Sequence, residues 1–512
     1  MSQHLLGIDV GTSSAKLILI NEAGEVVFTT SPEYPFETPR PGWAECDPEN
    51  WWQAIVRGLG ELFAKTGLAA ADIAGVGLTG QMHGLVLLDS AGEILRPCIM
   101  WNDQRTASQC ASITAKVGAE QVIQLTGNPV LSGFTAPKAV WVQENEPDIW
   151  KQAAKMLLPK DYIRYRLSGG FYTEVSDASG MSLLNVAERN WSAEMLAACG
   201  IDRAMMPEVT ESTVASTQVS DAAAKATGLA AGTPIIAGGG DQAAQAVGCG
   251  IVREGVVSCT LGTSGVVFAH SEQYRVEPEG RLHAFCAAVP GQWHLMGVML
   301  AAAGSYQWFR NQLGQEEIAR GEREGKDPYL YLNELADSVP AGSEGLLFLP
   351  YLSGERTPHP DPDARGAFVG LSLRHGKAHM TRAVLEGVTY GLCDSLELMR
   401  GLGIEPRTVV ASGGGAKSPL WRQLLADIFR AEIATVNATE GAAYGAALLA
   451  GVGAGVYRDV YAAVDETLAY SPAASPGQDA PVYADFYPRY RALYPALKDE
   501  FGALAKVVDK HF

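Results

Sequence analysis

Cysteine pairs spaced for metal binding or redox chemistry are missing from this sequence. The eight cysteines are scattered, and none of them forms a Cys-x-x-Cys pair. Such cysteines are typical of reduced, buried thiols, so we expect neither a disulfide framework nor a zinc site.

Positive charge is also scarce. The chain has 39 Lys and Arg residues against 57 Asp and Glu residues, which gives a formal net charge of −18. A strongly acidic protein is a poor partner for nucleic acid or an anionic membrane surface, so we expect neither. It can still bind a polyanion such as ATP where backbone amides and a metal ion meet the phosphates.

Long hydrophobic runs and a basic leader are lacking too. No basic segment followed by an apolar run occurs at the N-terminus, and the uncharged residues 441–457 are fewer than the ~20 that span a bilayer. We therefore expect a cytoplasmic protein without a signal peptide. The hydrophobic content of 47% and charged content of 19% are those of an ordinary globular protein.

The length of 512 residues exceeds what one hydrophobic core normally organises, so the sequence predicts two large domains. We place these domains at residues 1–252 and 253–512, with residues 481–512 forming a closing helical tail.

The tripeptide Gly-Thr-Ser occurs near the start of each predicted domain, after apolar residues 5–10 and again after residues 256–261. In both places an apolar strand returns after the turn. Turn amides and hydroxyls offer several aligned donors to phosphate oxygens, although Gly-Thr-Ser is also common turn chemistry. Because the two contexts match, we expect a duplicated fold with two phosphate-binding turns at residues 11–13 and 262–264.

A third glycine-rich turn, residues 412–418, joins a strand at residues 407–411 to a helix at residues 421–429. This turn suits the approach of a flat nucleoside to the backbone. It is equally consistent with a plain connection between a strand and a helix, so the sequence leaves both interpretations open.

Asp241 lies where a short buried strand, residues 234–237, gives way to three glycines and then to a helix over residues 242–247. Glycines allow close approach of a ligand, and a helix N-terminus favours a charged carboxylate. Asp241 is therefore a candidate base at the floor of a cleft. Taken by itself the motif favours the alternative, in which Asp241 only caps the helix.

Other patterns predict the surrounding elements. Residues 5–10, 16–20 and 26–30 predict three antiparallel strands, and Asp47-Pro48 marks the start of a helix. We also expect a strand at 73–78, a helix at 135–145, a surface linker at 471–480 and a closing helix at 487–508.

Three long stretches resemble the FGGY carbohydrate kinases. Residues 133–145 are similar to the first signature of that family, residues 366–386 to the second, and residues 352–358 (Leu-Ser-Gly-Glu-Arg-Thr-Pro) to a further familiar segment. The resemblance spans nearly the whole chain. It implies an α/β fold of two ribonuclease-H-like domains of the actin-like ATPase superfamily, with mixed sheets flanked by helices and the active site in the cleft between them.

Within that family, residues 81–84, 101–105 and 158–162 resemble the members that act on xylulose. This implies ATP-dependent phosphorylation of D-xylulose at its 5-hydroxyl. The alternatives are a family member acting on ribulose, fuculose, rhamnulose or gluconate, and an actin-like nucleotide switch. A switch predicts an added peptide-binding or filament-forming segment, and the sequence contains no such pattern.

The resemblance also implies roles for particular residues. Asp241 is the expected catalytic base, and Asp9 the expected Mg²⁺-holding carboxylate. The implied sugar-site residues are Met82, His83, Gln242 and Trp101. The implied ATP-binding residues are Gly11, Thr12, Ser13, Gly262, Thr263, Ser264, Gly414, Gly415 and Ser418. Strictness for D-xylulose, a possible homodimer, and ligand contacts by Asp103, Arg105 and Gln307 stay open. Glu174 stands where many members have Asp, and we assign it no catalytic role.

Overall fold

The computed structural model describes residues 3–437 and 441–511. Its strands are β1 (His4–Val10), β2 (Ala15–Asn21), β3 (Val26–Thr30), β4 (Glu45–Cys46), β5 (Ile73–Gly80), β6 (Val86–Leu88), β7 (Cys98–Ile99), β8 (Lys155–Leu157), β9 (Tyr172–Glu174), β10 (Leu184–Asn185), β11 (Asn190–Trp191), β12 (Glu208–Thr210), β13 (Ala215–Gln218), β14 (Pro234–Gly240), β15 (Val256–Leu261), β16 (Gly265–Ser271), β17 (His283–Cys286), β18 (Trp293–Met299), β19 (Leu347–Leu349), β20 (Ala367–Val369), β21 (Thr408–Ser412), β22 (Glu432–Val436) and β23 (Tyr470–Ala474).

The helices lie between groups of these strands along the chain. They are α1 (Pro48–Thr66), α2 (Ala107–Val117), α3 (Ala119–Thr126), α4 (Thr135–Asn145), α5 (Pro147–Trp150), α6 (Pro159–Ser168), α7 (Val175–Ala178), α8 (Ala193–Ala198), α9 (Asp221–Thr227), α10 (Asp241–Gly248), α11 (Ala303–Leu313), α12 (Gln315–Glu324), α13 (Pro328–Asp337), α14 (Lys377–Gly401), α15 (Pro419–Phe429), α16 (Gly441–Gly453), α17 (Val460–Thr467) and α18 (Ala480–His511). Within the described residues, no helix is long and apolar enough to cross a membrane.

Two central sheets repeat one topology. The first has the strand order β13-β14-β5-β1-β2-β3, and the second has the order β17-β18-β16-β15-β21-β22-β23. In the first sheet β1, β2 and β3 are antiparallel, while β5 joins β1 and β14 joins β5 in parallel. In the second, β15, β16 and β18 are antiparallel, and β21 and β22 are parallel additions. The structure confirms the duplicated fold.

The predicted local signals form the elements that position the site. Leu5, Leu6, Ile8 and Val10 are all buried because β1 lies at the centre of its sheet with both faces covered. The side chain of Asp47 accepts the amide hydrogen of Glu49 at the start of α1, as a cap should. The predicted helix at 135–145 is confirmed as α4.

Helix α16 comes late in the chain but packs on the first sheet. Its small residues allow this contact: a Cβ on Gly7 would lie 2.0 Å from the carbonyl oxygen of Ala443, and one on Gly77 would lie 1.9 Å from that of Ala446. On the same helix, a Cβ on Gly445 would meet α10 backbone at 1.8 Å. The second half of the chain thus covers the first sheet, and the division at residue 252 stays a prediction.

The expected surface linker at 471–480 is wrong over its first part. Residues 470–474 form β23, which pairs antiparallel with β22 at the edge of the second sheet. Its Ser and Pro content hid the strand from sequence reasoning. An edge strand tolerates Pro472 because one of its sides needs no hydrogen-bond donors.

Candidate active site

Asp241 is the first residue of α10, and Gly240 takes the capping position before it without a side-chain hydrogen bond. The glycines belong to β14, where a Cβ on Gly238 would lie 1.7 Å from the carbonyl oxygen of Leu78 in β5. This close approach, at a φ of 76°, explains the first glycine of the run. Asp241 therefore does not act as the helix cap, and that alternative is wrong.

The electrostatics link Asp241 to Asp9. Burial, and secondly the negative charge of Asp9, raise the pKa of Asp241 to about 7, while hydrogen bonds from Gln242 oppose the rise. Burial raises the pKa of Asp9 to about 6, against the opposing charge of Lys16. The fold thus brings two partly buried carboxylates within electrostatic reach of each other. A base whose pKa lies near neutral pH suits proton abstraction.

The residues around Asp9 fit a divalent cation that keeps most of its water. The negative charge of Asp9 helps to raise the pKa of Asp241, and a nearby cation would offset this repulsion. Within residues 3–437 and 441–511, no group of three or more His, Cys, Asp or Glu side chains could hold a metal. Mg²⁺ does not require such a cage, because it takes one or two carboxylates together with water and substrate phosphates.

The turn of residues 11–13, the predicted first phosphate turn, is anchored through the carbonyl group of Gly11. Gly11 accepts hydrogen bonds from the Tyr34 hydroxyl at 2.6 Å and from Gln81 Nε2 at 2.8 Å. Trp101 Nε1 donates to Thr12 Oγ1 at 3.1 Å, and Ser13 is exposed. The turn is therefore open toward ligand. No signal in the sequence marked Tyr34, because no motif includes it. Gln81 lies in the segment 81–84, but the sequence assigned it no role of its own.

The second phosphate turn and the third glycine-rich turn lie together because β15 and β21 are neighbouring parallel strands. Ligands often bind where the carboxyl ends of such strands meet. A cavity of about 430 Å³ opens there, a size suited to a nucleoside. The predicted residues that line it are Gly262, Thr263, Gly414, Gly415 and Ser418.

Helices α11 and α13 complete this cavity. Gln307, which the sequence left open, lines it together with Tyr329 and Asn333, for which the sequence gave no signal. Ser264 is exposed beside the lining residues. Ser418 lies on the wall, but its hydroxyl accepts the amide hydrogen of Trp421 and so caps α15.

His83 is fixed with its backbone at a φ of 71°, which a histidine adopts only when its surroundings hold it there. Its Nδ1 lies 2.7 Å from the carbonyl oxygen of Gly180 and must donate to it. Its own carbonyl accepts from Lys138 Nζ at 2.8 Å and from Thr135 Oγ1 at 3.1 Å. Burial, chiefly, lowers the pKa of His83 to about 3, so the ring is neutral and Nε2 is an acceptor.

Met82 and Gln242 lie against the start of α10, where Asp241 stands. A Cβ on Gly240 would come within 3.0 Å of Met82 Sδ, so this thioether packs on the residue just before Asp241. Gln242 hydrogen-bonds Asp241 through its backbone and side chain. The structure thus brings Met82 and Gln242 to Asp241, whereas Trp101 lies at the turn of residues 11–13.

Asp103 and Arg105 form an internal ion pair. Asp103 accepts from the amide of Ala44 at 2.7 Å and from Arg105 Nη2 at 2.7 Å. The guanidinium of Arg105 is 3.6 Å from the ring centroid of Trp43, and its side chain is 1% exposed. These contacts leave neither residue a surface for ligand.

Glu174 helps to hold the end of the strand that leads to Asp241. Its carboxylate accepts the amide hydrogens of Ser176 at 2.6 Å and of Asp177 at 2.8 Å, and it lies 3.5 Å from the buried ammonium of Lys160. Ser176 Oγ in turn accepts the amide hydrogen of Gly240 at 3.1 Å. Glu174 is therefore linked through Ser176 to Gly240, the residue before Asp241, and this link appears only in the folded chain.

The repeated sheets and the turns at their strand ends define a phosphotransferase with the actin-like ATPase fold, as the sequence predicted. The chain matches the N-terminal domain of the FGGY family of carbohydrate kinases over residues 4–248 and its C-terminal domain over residues 257–454. This protein belongs to the FGGY family of carbohydrate kinases and is an ATP-dependent sugar kinase.

Known relatives are similar along most of their length. The xylulose kinase of Escherichia coli (strain K12) is 46% identical over 423 residues, which are 83% of this chain and 84% of the relative. The xylulose kinase of Bacillus subtilis (strain 168) is 38% identical over 98% of this chain and 99% of the relative. A crystal structure described as a xyloylose kinase from Brucella ovis superposes with a TM-score of 0.88 at 39% identity, covering 97% of this chain and 100% of that one.

Proposed function

We propose that this kinase transfers the γ-phosphoryl group of ATP to the 5-hydroxyl of D-xylulose, giving D-xylulose 5-phosphate and ADP. The observation that carries the proposal is the meeting of the segment containing Met82 and His83 with Asp241, because this segment resembles the xylulose-specific members. Similarity to xylulose kinases over most of the chain supports the same substrate.

In the proposed mechanism Asp241 accepts the proton of the sugar hydroxyl as that oxygen attacks the γ-phosphorus. Such a transfer needs mainly in-line positioning and neutralisation of charge, so one carboxylate and a metal suffice. Asp9 would hold Mg²⁺ through water, and the ion would neutralise phosphate charge when bound. Trp101 would pack beside the reacting end of the sugar, since it already contacts Thr12.

The phosphate turn at residues 11–13 follows β1 of the first sheet, and the turn at residues 262–264 follows β15 of the second. ATP bound by both turns would therefore bridge the two halves of the molecule. Closure around the substrates would expel water, which is a competing nucleophile. A cytoplasmic location and a possible homodimer stay predictions, which cell fractionation and analytical ultracentrifugation would test.

A ketose panel in a coupled ADP assay tests the substrate. We expect the highest kcat/KM for D-xylulose among D-xylulose, ribulose, fuculose, rhamnulose and gluconate. A higher kcat/KM for one of the other sugars would overturn the substrate assignment and leave the kinase chemistry standing. ADP release independent of every sugar would instead favour a nucleotide switch.

His83→Ala should raise KM for the sugar roughly 2–10-fold and leave KM for ATP unchanged. The lost hydrogen bond to a neutral hydroxyl is worth about 0.5–1.5 kcal/mol net. Steady-state kinetics with each substrate varied in turn measure both constants. His511→Ala, which changes an exposed histidine near the chain end, is the control. An unchanged sugar KM with a raised ATP KM would remove His83 from the sugar site.

A further inference from the structure

Arg356 is an exposed cation in a segment that the mechanism so far does not use. Its side chain makes no hydrogen bond or ion pair of its own with any residue in the described part of the chain, although its neighbours are tightly held. Burial by the surrounding protein lowers the pKa of Arg356. A group that is open to solvent yet surrounded by protein lies in a cleft.

The backbone around Arg356 is fixed at both neighbours. Glu355 is buried, and its Oε1 accepts the amide hydrogens of Leu300 at 3.0 Å and of Arg356 itself at 2.7 Å. On the other side, the amide of Thr357 donates to the carbonyl of Val298 at 3.0 Å. Thr357 Oγ1 donates to the backbone carbonyl oxygen of Arg281 at 2.9 Å. Hydrogen bonds therefore hold the backbone at Arg356 on both sides, whereas its side chain is not held by any in the described part of the chain.

These anchors put Arg356 beside the sugar site. Val298 and Arg281 each lie two residues beyond the cross-strand pair of Met296 and His283. The ring of His283 stacks on Phe285 at 5.7 Å, and Phe285 lies 6.2 Å from Phe134.

Phe134 in turn stacks on His83 at 4.3 Å. A row of rings from both halves of the molecule thus joins His83 to the neighbourhood of Arg356. The electrostatics agree, because the charge of Arg356 adds to burial in lowering the pKa of His83 and of His283 to about 3.

We propose that Arg356 is a further substrate-binding residue, supplied by the second half of the chain, that donates hydrogen bonds to oxygens of the bound sugar across from His83. This assignment rests on the sugar-kinase function and adds a contact to it. The neutral ring of His83 offers an acceptor at Nε2, whereas a guanidinium offers only donors. A hydroxylated ligand, whose hydroxyls both donate and accept, is matched by this pair.

The pair has a conformational consequence. His83 lies on the segment after β5 of the first sheet, and Arg356 is anchored to β18 of the second. A sugar bound by both would draw the two halves together, so that closure depends on the sugar as well as on the nucleotide.

The test is Arg356→Met, which removes the charge and keeps the length, with Arg356→Lys beside it. The control is Arg365→Met, because Arg365 is an exposed arginine of the same loop. Assays use the full chain and the sugar with the highest kcat/KM in the panel, so a wrong substrate assignment does not affect the outcome.

We expect Arg356→Met to raise KM for the sugar about tenfold and to abolish compaction by sugar in small-angle scattering. KM for ATP should stay within twofold, and the Tm should match that of the control. Arg356→Lys should recover part of the sugar affinity.

Three results would overturn the assignment. A raised KM for ATP with a normal KM for the sugar would show that the Arg356 guanidinium binds the nucleotide phosphates. A lowered kcat with both KM values unchanged would show that Arg356 contacts the phosphoryl group during transfer. Wild-type kinetics would leave it no role in the reaction.

Discussion

Asp241→Asn should lower kcat by ~10²–10⁴-fold, the usual contribution of a general base, with little change in KM for either substrate. The amide keeps the shape of the carboxylate and can still hydrogen-bond the sugar hydroxyl, but it cannot accept the proton. A loss confined to kcat is the pattern of a group used mainly in the transition state. Slow hydrolysis of ATP by water should fall as well.

The same substitution should raise stability at pH 8, which separates a base from a structural residue. The folded-state pKa of Asp241 is raised to about 7 from an ordinary 3.8. The contribution of protonated Asp241 to the free energy of unfolding is therefore full below pH 4 and is lost as the pH rises through 7. At pH 8 the buried charge destabilises the fold, and a neutral amide removes a cost on the order of 1–3 kcal/mol.

Asp221→Asn is the matched control, because Asp221 is also the first residue of a helix but is exposed. It should lower stability by about 0.3–1 kcal/mol, since it removes a charge that the helix N-terminus favours, and leave kcat unchanged. Thermal unfolding at pH 5 and pH 8, with kinetics at pH 8, measures both effects. If Asp241→Asn lowered Tm and left the folded fraction fully active, the base would lie elsewhere.

Asp9→Asn should lower turnover and raise the Mg²⁺ concentration needed for half-maximal rate. Residues that hold a metal through water typically contribute about 10–100-fold to metal affinity or activity. Titration of Mg²⁺ at saturating ATP and sugar measures the shift. Asp89→Asn is the control, because Asp89 accepts the amides of Ala91 and Glu93 in a turn. Unchanged turnover and unchanged Mg²⁺ dependence would remove Asp9 from the site.

Asp9→Asn should also move the acidic limb of the pH profile. The charge of Asp9 is the second cause, after burial, of the raised pKa of Asp241. Without it the base should stay ionised at lower pH, so the limb of kcat/KM should shift downward from about 7. A limb that stays in place would show that the two carboxylates do not interact in the working enzyme.

Much of the architecture was predictable from local patterns. The two Gly-Thr-Ser turns between apolar strands predict the repeat, and the six strands of the first sheet have counterparts in the second, which adds β17 at its edge. Asp47-Pro48 predicts the start of α1 because a cap and a first-turn proline act on backbone only a few residues away. The long signatures at 133–145 and 366–386 were enough to identify the family.

The sequence alone could not decide what Asp241 does at the start of its helix. A cap and a first helical residue differ by one position, and three glycines before the aspartate are compatible with both. The strand continues through those glycines because Gly238 passes against Leu78 of β5, a residue far away in the sequence. Because the strand runs to Gly240, that glycine takes the capping position and Asp241 becomes the first residue of the helix.

The sequence by itself determined the duplicated halves and the glycine-rich turns at their strand ends, because strand periodicity and turn chemistry are set by neighbouring residues. Only the tertiary structure decided the long-range relations. It joined Glu174 to Gly240 through Ser176, laid α16 on the opposite sheet, and brought Arg356 to the ring row that ends at His83. Burial and charge act through space, so the raised pKa of Asp241 and the surroundings of Arg356 are properties of the folded chain.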